Sequence, residues 1–273
     1  MRAGKYAAHS VLLLVPTLAV LAACGSYSTH NGAKQQSAES TTSANGATTD
    51  LGHPKAARPL EGLIIVVNPG HNRGNVAHSN EIKQLVDAGN GTKKACDTTG
   101  TQTNDGYQEA DFTWDVSQRL VALLTAAGAR AKTTLTADTP WGPCVNQRAA
   151  VGNNAQAAAV ISIHGDGGPA GGSGFHVLEP GLDSPIKARS HQLAVAVRDA
   201  YLTGTGMRTA DYIGRDGLNL RTDMAGLNLS KVPTMILESG NMRNAADAAR
   251  MKDPSFRQKE AESLVRALQR FLQ

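Results

Sequence analysis

Three short apolar runs, each cut off by a polar residue, constrain this chain more than any other feature. Leu63-Ile64-Ile65-Val66-Val67 stops at Asn68-Pro69-Gly70-His71, and Ala158-Ala159-Val160-Ile161-Ser162-Ile163 stops at His164-Gly165-Asp166. Thr234-Met235-Ile236-Leu237 stops at Glu238-Ser239-Gly240-Asn241. Short, largely β-branched runs of this kind suit strands buried on both faces. Between them the spacing turns helical. Phe112, Val116, Leu120, Leu124 and Ala127 recur on one face after Glu109, until Gly128 stops the helix. Residues 129–135 and 175–178 read as further strands, and 148–156 and 185–202 as helices. Asp253 caps a last helix with Pro254 in its first turn and Leu264, Val265, Leu268, Phe271 and Leu272 on one stripe. Strands alternating with helices imply an α/β fold: one domain over residues 59–273, with a mostly parallel, twisted sheet covered by helices on both faces.

In such sheets ligands sit outside the carboxyl ends of the strands. His71, His164 and Glu238 stand at those ends, and a helix start brings Glu109 to the same edge. Two imidazoles and one carboxylate make a three-ligand zinc set with an open position, and a second carboxylate is left to move protons. Each residue also has a plainer reading. Either histidine suits a hydrogen-bonded structural role, Glu109 suits a charge at a helix N-terminus, and Glu238 suits a buried ion pair. Asp166 and Asn241 flank the site and either orient substrate or shape turns. His176 reads as a packed, hydrogen-bonded strand residue, and Arg148 as the partner of an acid within the fold. Residues 72–106 form a long polar loop placed to gate a groove. The glycine-rich stretch from Gly165 to Gly174 reads as a flexible rim and lacks the spacing of a phosphate-binding loop.

The N-terminus is a targeting segment. Arg2 and Lys5 precede an apolar stretch too short to span a bilayer as a stable helix, as in a signal peptide over residues 1–23. Leu21-Ala22-Ala23-Cys24-Gly25 resembles the bacterial lipobox, in which the cysteine is lipidated, so Cys24 is expected to anchor the chain to a membrane. Residues 24–58 are small and polar, composing a disordered tether. A formal charge of +4, reduced by two when Arg2 and Lys5 leave, is too small for a nucleic-acid footprint. Aromatic residues, at 4%, are too few for a sugar-stacking platform. Cys96 and Cys144 remain as an even pair in an exported chain and read as a disulfide in preference to metal ligation. Oligomeric state is not legible.

The ordered motifs V-N-P-G-H, a glutamate opening a long helix, R-x-x-x-x-N from Arg148 to Asn153, S-I-H and L-E-S-G-N resemble the zinc-dependent N-acetylmuramoyl-L-alanine amidases. The cysteine pair, G-F-H-V and A-G-L-N-L further resemble the compact mycobacterial members of that family. The resemblance implies one zinc ion held by His71, Glu109 and His164, with Glu238 as the catalytic carboxylate. It implies a peptidoglycan or muropeptide substrate, cut between N-acetylmuramic acid and L-alanine; the lipobox places the chain on the outer face of the cytoplasmic membrane. The family's usual aspartate before Pro-Gly-His is Asn68 here, and if that position supports a ligand, its lost charge weakens metal binding. Two other readings use the same residues: a non-catalytic peptidoglycan-binding lipoprotein, and a zinc peptidase cutting within the stem peptide.

Overall fold

The computed structural model describes residues 58–273. The signal peptide, Cys24 and the tether up to residue 57 lie outside the described residues. Among those described, no helix is long and apolar enough to cross a membrane.

A six-stranded sheet forms the centre, built from β1 (Ile64–Pro69), β4 (Arg130–Thr133), β5 (Ala159–Asp166), β6 (His176–Pro180), β7 (Leu218–Arg221) and β8 (Thr234–Asn241). Its order is β4-β1-β5-β8-β6-β7. The first four strands run parallel; β6 turns back antiparallel to β8, and β7 follows β6. This reversal matters for the site. It brings the start of β6, rather than its end, to the edge where β5 and β8 finish.

Alternation along the strands sorts their side chains into a thick and a thin layer. Ile65 and Val67, Ile161 and Ile163, Met235 and Leu237, and Val177 face the main core. There they meet α2 (Glu109–Ala126), α4 (Lys187–Thr205) and α7 (Pro254–Leu272). Phe112, Val116, Leu120 and Leu124 are fully buried at the four-residue spacing of one helical face. Each contributes roughly 1.5–3 kcal/mol by leaving water. Asp253 caps α7, its side chain accepting from the Ser255 N–H. Val66 and Val160, then Leu178 and Ile236, face the other way into smaller clusters. These are covered by α3 (Val145–Asn154) and α5 (Ala225–Asn228).

The segment 72–106 is not the single loop its composition suggested. It folds as a 3-10 turn (Arg73–Val76), the short helix α1 (Ser79–Ile82) and a hairpin of β2 (Leu85–Gly89) and β3 (Thr92–Ala95). Its polarity reflects exposure: Leu85 is 69% exposed, so the hairpin has no continuous apolar face to betray it. Cys96 and Cys144 are bonded, tying the end of β3 to the cap of α3. Strand β7 and the helix α6 (Ala245–Lys252) also went unread, being short and polar.

Candidate metal centre

Residues that pair across strands project to the same face. His164 on β5 is in register with Glu238 on β8, which is in register with His176 on β6. The three therefore form one row across the thin face, at the active edge. One step back along the strands lie Asn68, Ser162, Ile236 and Leu178. A bulge after His164 then carries β5 on to Asp166.

His71 and Glu109 complete the group from outside the sheet. Gly70 lets the chain pass tightly over β5; a Cβ there would come within 2.5 Å of the His164 ring. His71 follows in the left-handed region, at φ 60°. Glu109 is the first residue of α2 and is 3% exposed. Its Oε1 lies 3.0 Å from His164 Nδ1, and its Oε2 lies 3.4 Å from His71 Nε2. Backbone N–H groups hold both oxygens: Gly165 donates to Oε1 at 3.1 Å and Thr101 to Oε2 at 2.8 Å. The two imidazole rings stand edge to face, 5.1 Å apart. Donor atoms of His71, Glu109 and His164 all lie within 4.8 Å of one another, a group that can hold a metal ion.

The donor set fits such an ion in its protonation as well as its spacing. His71 Nδ1 faces two acceptors, Asp97 Oδ1 at 3.0 Å and the Thr98 carbonyl at 3.1 Å. It therefore carries the hydrogen, which leaves the Nε2 lone pair turned toward Glu109, the tautomer a metal needs. Without a metal, burial disfavours the imidazolium, but the Glu109 and Asp97 carboxylates overcome it and raise the His71 pKa to about 10. Burial also opposes ionisation of Asp97, whose pKa His71 and Arg148 nevertheless lower to about 2. Glu109 shifts the same way: burial pushes it up, and the two histidines bring it well below the ordinary range.

Asp97 is the residue that sequence reasoning missed. Asn68 hydrogen-bonds to neither histidine. It sits a row behind the site, where Nδ2 donates to Ser162 Oγ at 2.7 Å and Oδ1 accepts from Thr134 Oγ1 and Arg148 Nη1. The carboxylate that holds His71 directly is Asp97, and Asn68 reaches it only through Arg148. The other oxygen of Asp97 accepts from Arg148 Nη2 at 3.0 Å, the acid partner expected for Arg148. The guanidinium also donates to the carbonyls of Pro69, His71, Gly142 and Pro143. The sequence signal for Asp97 was slight: its place beside the bonded Cys96.

Glu238 faces the group from the adjoining strand. Burial, reinforced by the Glu109 and Asp166 carboxylates, raises its pKa well above the ordinary range. Its Oε2 is buried with no hydrogen-bond partner. Asp166 accepts from the Tyr212 hydroxyl at 2.8 Å. Asn241 is fully buried, and its amide is spent on the neighbouring loop: Nδ2 donates to the Pro169 and Gly172 carbonyls, and Oδ1 accepts from the Arg243 N–H. The substrate contact considered for Asn241 gives way to this loop-fastening role. The same bonds, with those from Ser173 and Gly174 to Asp247, fasten the glycine-rich stretch that composition suggested was a flexible rim. His176 is buried as expected, but its Nδ1 has no partner, so it is not the satisfied strand residue anticipated.

Comparison with known proteins bears on this geometry. Residues 65–270 match the N-acetylmuramoyl-L-alanine amidase family. The chain is 43% identical over 215 residues to the N-acetylmuramoyl-L-alanine amidase Rv3717 of Mycobacterium tuberculosis, covering 78% of this chain and 88% of that one. It also resembles the crystal structure of the amidase Ami1 of Mycobacterium smegmatis, at 44% identity and a TM-score of 0.74, over 78% of this chain and 98% of that one. Ami1 of Mycobacterium abscessus gives 40% identity and a TM-score of 0.75, over 78% and 100%.

Proposed function

Because the chain belongs to the N-acetylmuramoyl-L-alanine amidase family and is an amidase of that kind, we propose that it works through one zinc ion held by His71, Glu109 and His164, with Glu238 as the catalytic carboxylate. The observation that carries this reading is the convergence of three donors within 4.8 Å, beside a glutamate whose inner oxygen has no partner. Zinc, when bound, supplies a Lewis acid that makes water acidic near neutral pH and polarises a carbonyl.

The chain's own residues do the rest. Asp97 holds His71 by Nδ1, and the Thr101 and Gly165 N–H groups fix Glu109, so the donors need no rearrangement. Glu238 takes the proton released as water attacks the amide carbon between the lactyl group of N-acetylmuramic acid and L-alanine. The raised proton affinity of its carboxyl suits holding that proton until the amide nitrogen departs with it as a free amine. A peptide stem leaves its glycan strand. The substrate is peptidoglycan or its muropeptide fragments. Export by the signal peptide and lipidation at Cys24 place the enzyme on the outer face of the membrane.

The test is cleavage of defined muropeptides followed by mass spectrometry, comparing zinc-loaded protein, chelated protein and Glu238→Ala. A new L-alanine amine, absent from both controls, is the expected result. Undiminished release by Glu238→Ala overturns its role, and undiminished release after complete metal removal overturns the zinc reading.

A further inference from the structure

The row across the thin face contains one group that the reaction above leaves unused. His176 lies directly opposite Glu238 in the antiparallel pair of β6 and β8. Directly opposed residues project from the same face with their Cβ atoms about 4.5–5.5 Å apart. His176 is 2% exposed, and its Nδ1 is buried without a partner; Glu238 Oε2 is buried without a partner beside it. Two orphaned polar atoms on neighbouring side chains are a costly coincidence in a packed interior. Its strand neighbours Phe175 and Val177 project the other way, into the main core, so among the groups paired across the row Glu238 is the one that directly faces it.

The surroundings hold the ring in place. Tyr212 meets it edge-on, with ring centres 6.3 Å apart. Tyr212 is itself fixed by its bond to Asp166 and by the backbone at Gly168 and Gly172, where a Cβ would come within 2.5 Å of the tyrosine ring. Burial keeps the imidazole neutral, lowering its pKa to about 4; nearby Asp166 opposes the shift and Arg221 adds to it.

We propose that His176 is a positioning residue for Glu238, donating from Nδ1 to Oε2 so that the other carboxyl oxygen faces the scissile amide. This rests on Glu238 being the catalytic carboxylate. The imidazole keeps its single proton throughout: water's proton goes to Glu238 and then to the departing nitrogen. His176 thereby sets the geometry of a transfer in which it does not itself exchange a proton.

The experiment compares the full chain carrying His176→Asn, His176→Gln, His176→Phe or Glu238→Gln, measuring kcat and KM on a muropeptide together with thermal stability and bound metal. Asparagine puts an amide donor near the position of Nδ1, whereas glutamine reaches toward that of Nε2. The Asn variant is expected to keep kcat within about threefold of the parent. The Gln and Phe variants are expected to lose about tenfold or more in kcat with KM and metal content unchanged. Should the Phe variant fail to fold, the Asn and Gln pair decides alone. Equal rates for Asn and Gln, or a loss confined to KM, overturn the proposal. If Glu238→Gln stays active, the catalytic reading of Glu238 falls as well; if it is inactive while all His176 variants match the parent, only the positioning role falls.

Discussion

Replacing Asp97 by alanine removes two contacts that do separate work. Oδ1 holds the His71 imidazole, and Oδ2 is the anion opposite the buried Arg148 guanidinium. Losing a partner that orients a metal-binding histidine weakens metal affinity by about 10–100-fold. The lower end is expected here, because the Thr98 carbonyl at 3.1 Å remains to accept from Nδ1. Arg148 keeps its carbonyl acceptors but no counter-charge, and breaking a buried pair in this way costs about 3–5 kcal/mol. For a domain of this size that lowers the melting temperature by about 6–20 °C. The loss depends on pH in a determined direction. The folded pKa of about 2 lies below that of an unperturbed aspartate, so Asp97 stabilises the fold above about pH 4, and that contribution disappears as pH falls toward 2. Chelator competition reads the zinc affinity, and circular dichroism of the metal-free protein reads the melting temperature. The Asp97→Asn variant retains an acceptor for His71 and is expected to fall between. An alanine variant with unchanged zinc affinity and unchanged melting temperature refutes the assignment of both roles.

Glu260, fully buried, accepts from Ser239 and Tyr201, yet burial outweighs those bonds and raises its pKa to about 8. A raised carboxyl pKa favours the fold below the unfolded value, and that benefit is lost as pH rises to about 8. Glu260→Gln should therefore flatten the fall in stability between pH 5 and 9, by up to roughly 4–5 kcal/mol; parallel urea titrations of parent and variant that decline together rule this out. Replacing Cys96 and Cys144 by alanine releases a 48-residue separation, worth about 4 kcal/mol in the chain-entropy model. It also slackens the segments bearing Asp97 and Arg148, so zinc affinity should fall with stability; chelator competition showing stability lost and affinity intact separates the two. Cys24→Ala is expected to move the protein from the membrane fraction to the soluble fraction on cell fractionation, and continued membrane retention excludes lipidation at Cys24 as its anchor.

The parts of the site that were legible in the sequence are those that end buried runs. A β-branched strand announces itself, and a histidine or glutamate at its end has few places to go. Ile163-His164 and Leu237-Glu238 could be read in this way, and Glu109 was legible from the apolar face of the helix it opens. Asp97 was not, because it lies in a polar segment without periodicity and acts through contacts 26 and 51 residues away. The place of Asn68 was hidden for a related reason: the resemblance marked the position, but strand alternation and register are what set it a row behind the site, against Ser162. The partnership of Glu238 with His176 needed the reversal of β6, which no local pattern encodes.

That cross-strand row has a consequence for how such an enzyme tolerates change. His164, Glu238 and His176 are separated by the spacing between hydrogen-bonded strands, about 4.8 Å, rather than by the lengths of the connecting loops. The sheet thus acts as a ruler, and the connections can lengthen, shorten or be exchanged between relatives without recalibrating it. The vulnerable operation is the insertion or deletion of one residue within β5 or β8. Such a change turns every later side chain of that strand to the opposite face. An insertion would deliver Ile163 or Leu237 to the reacting edge and a deletion Gly165 or Ser239, and either would turn the working group toward the helices.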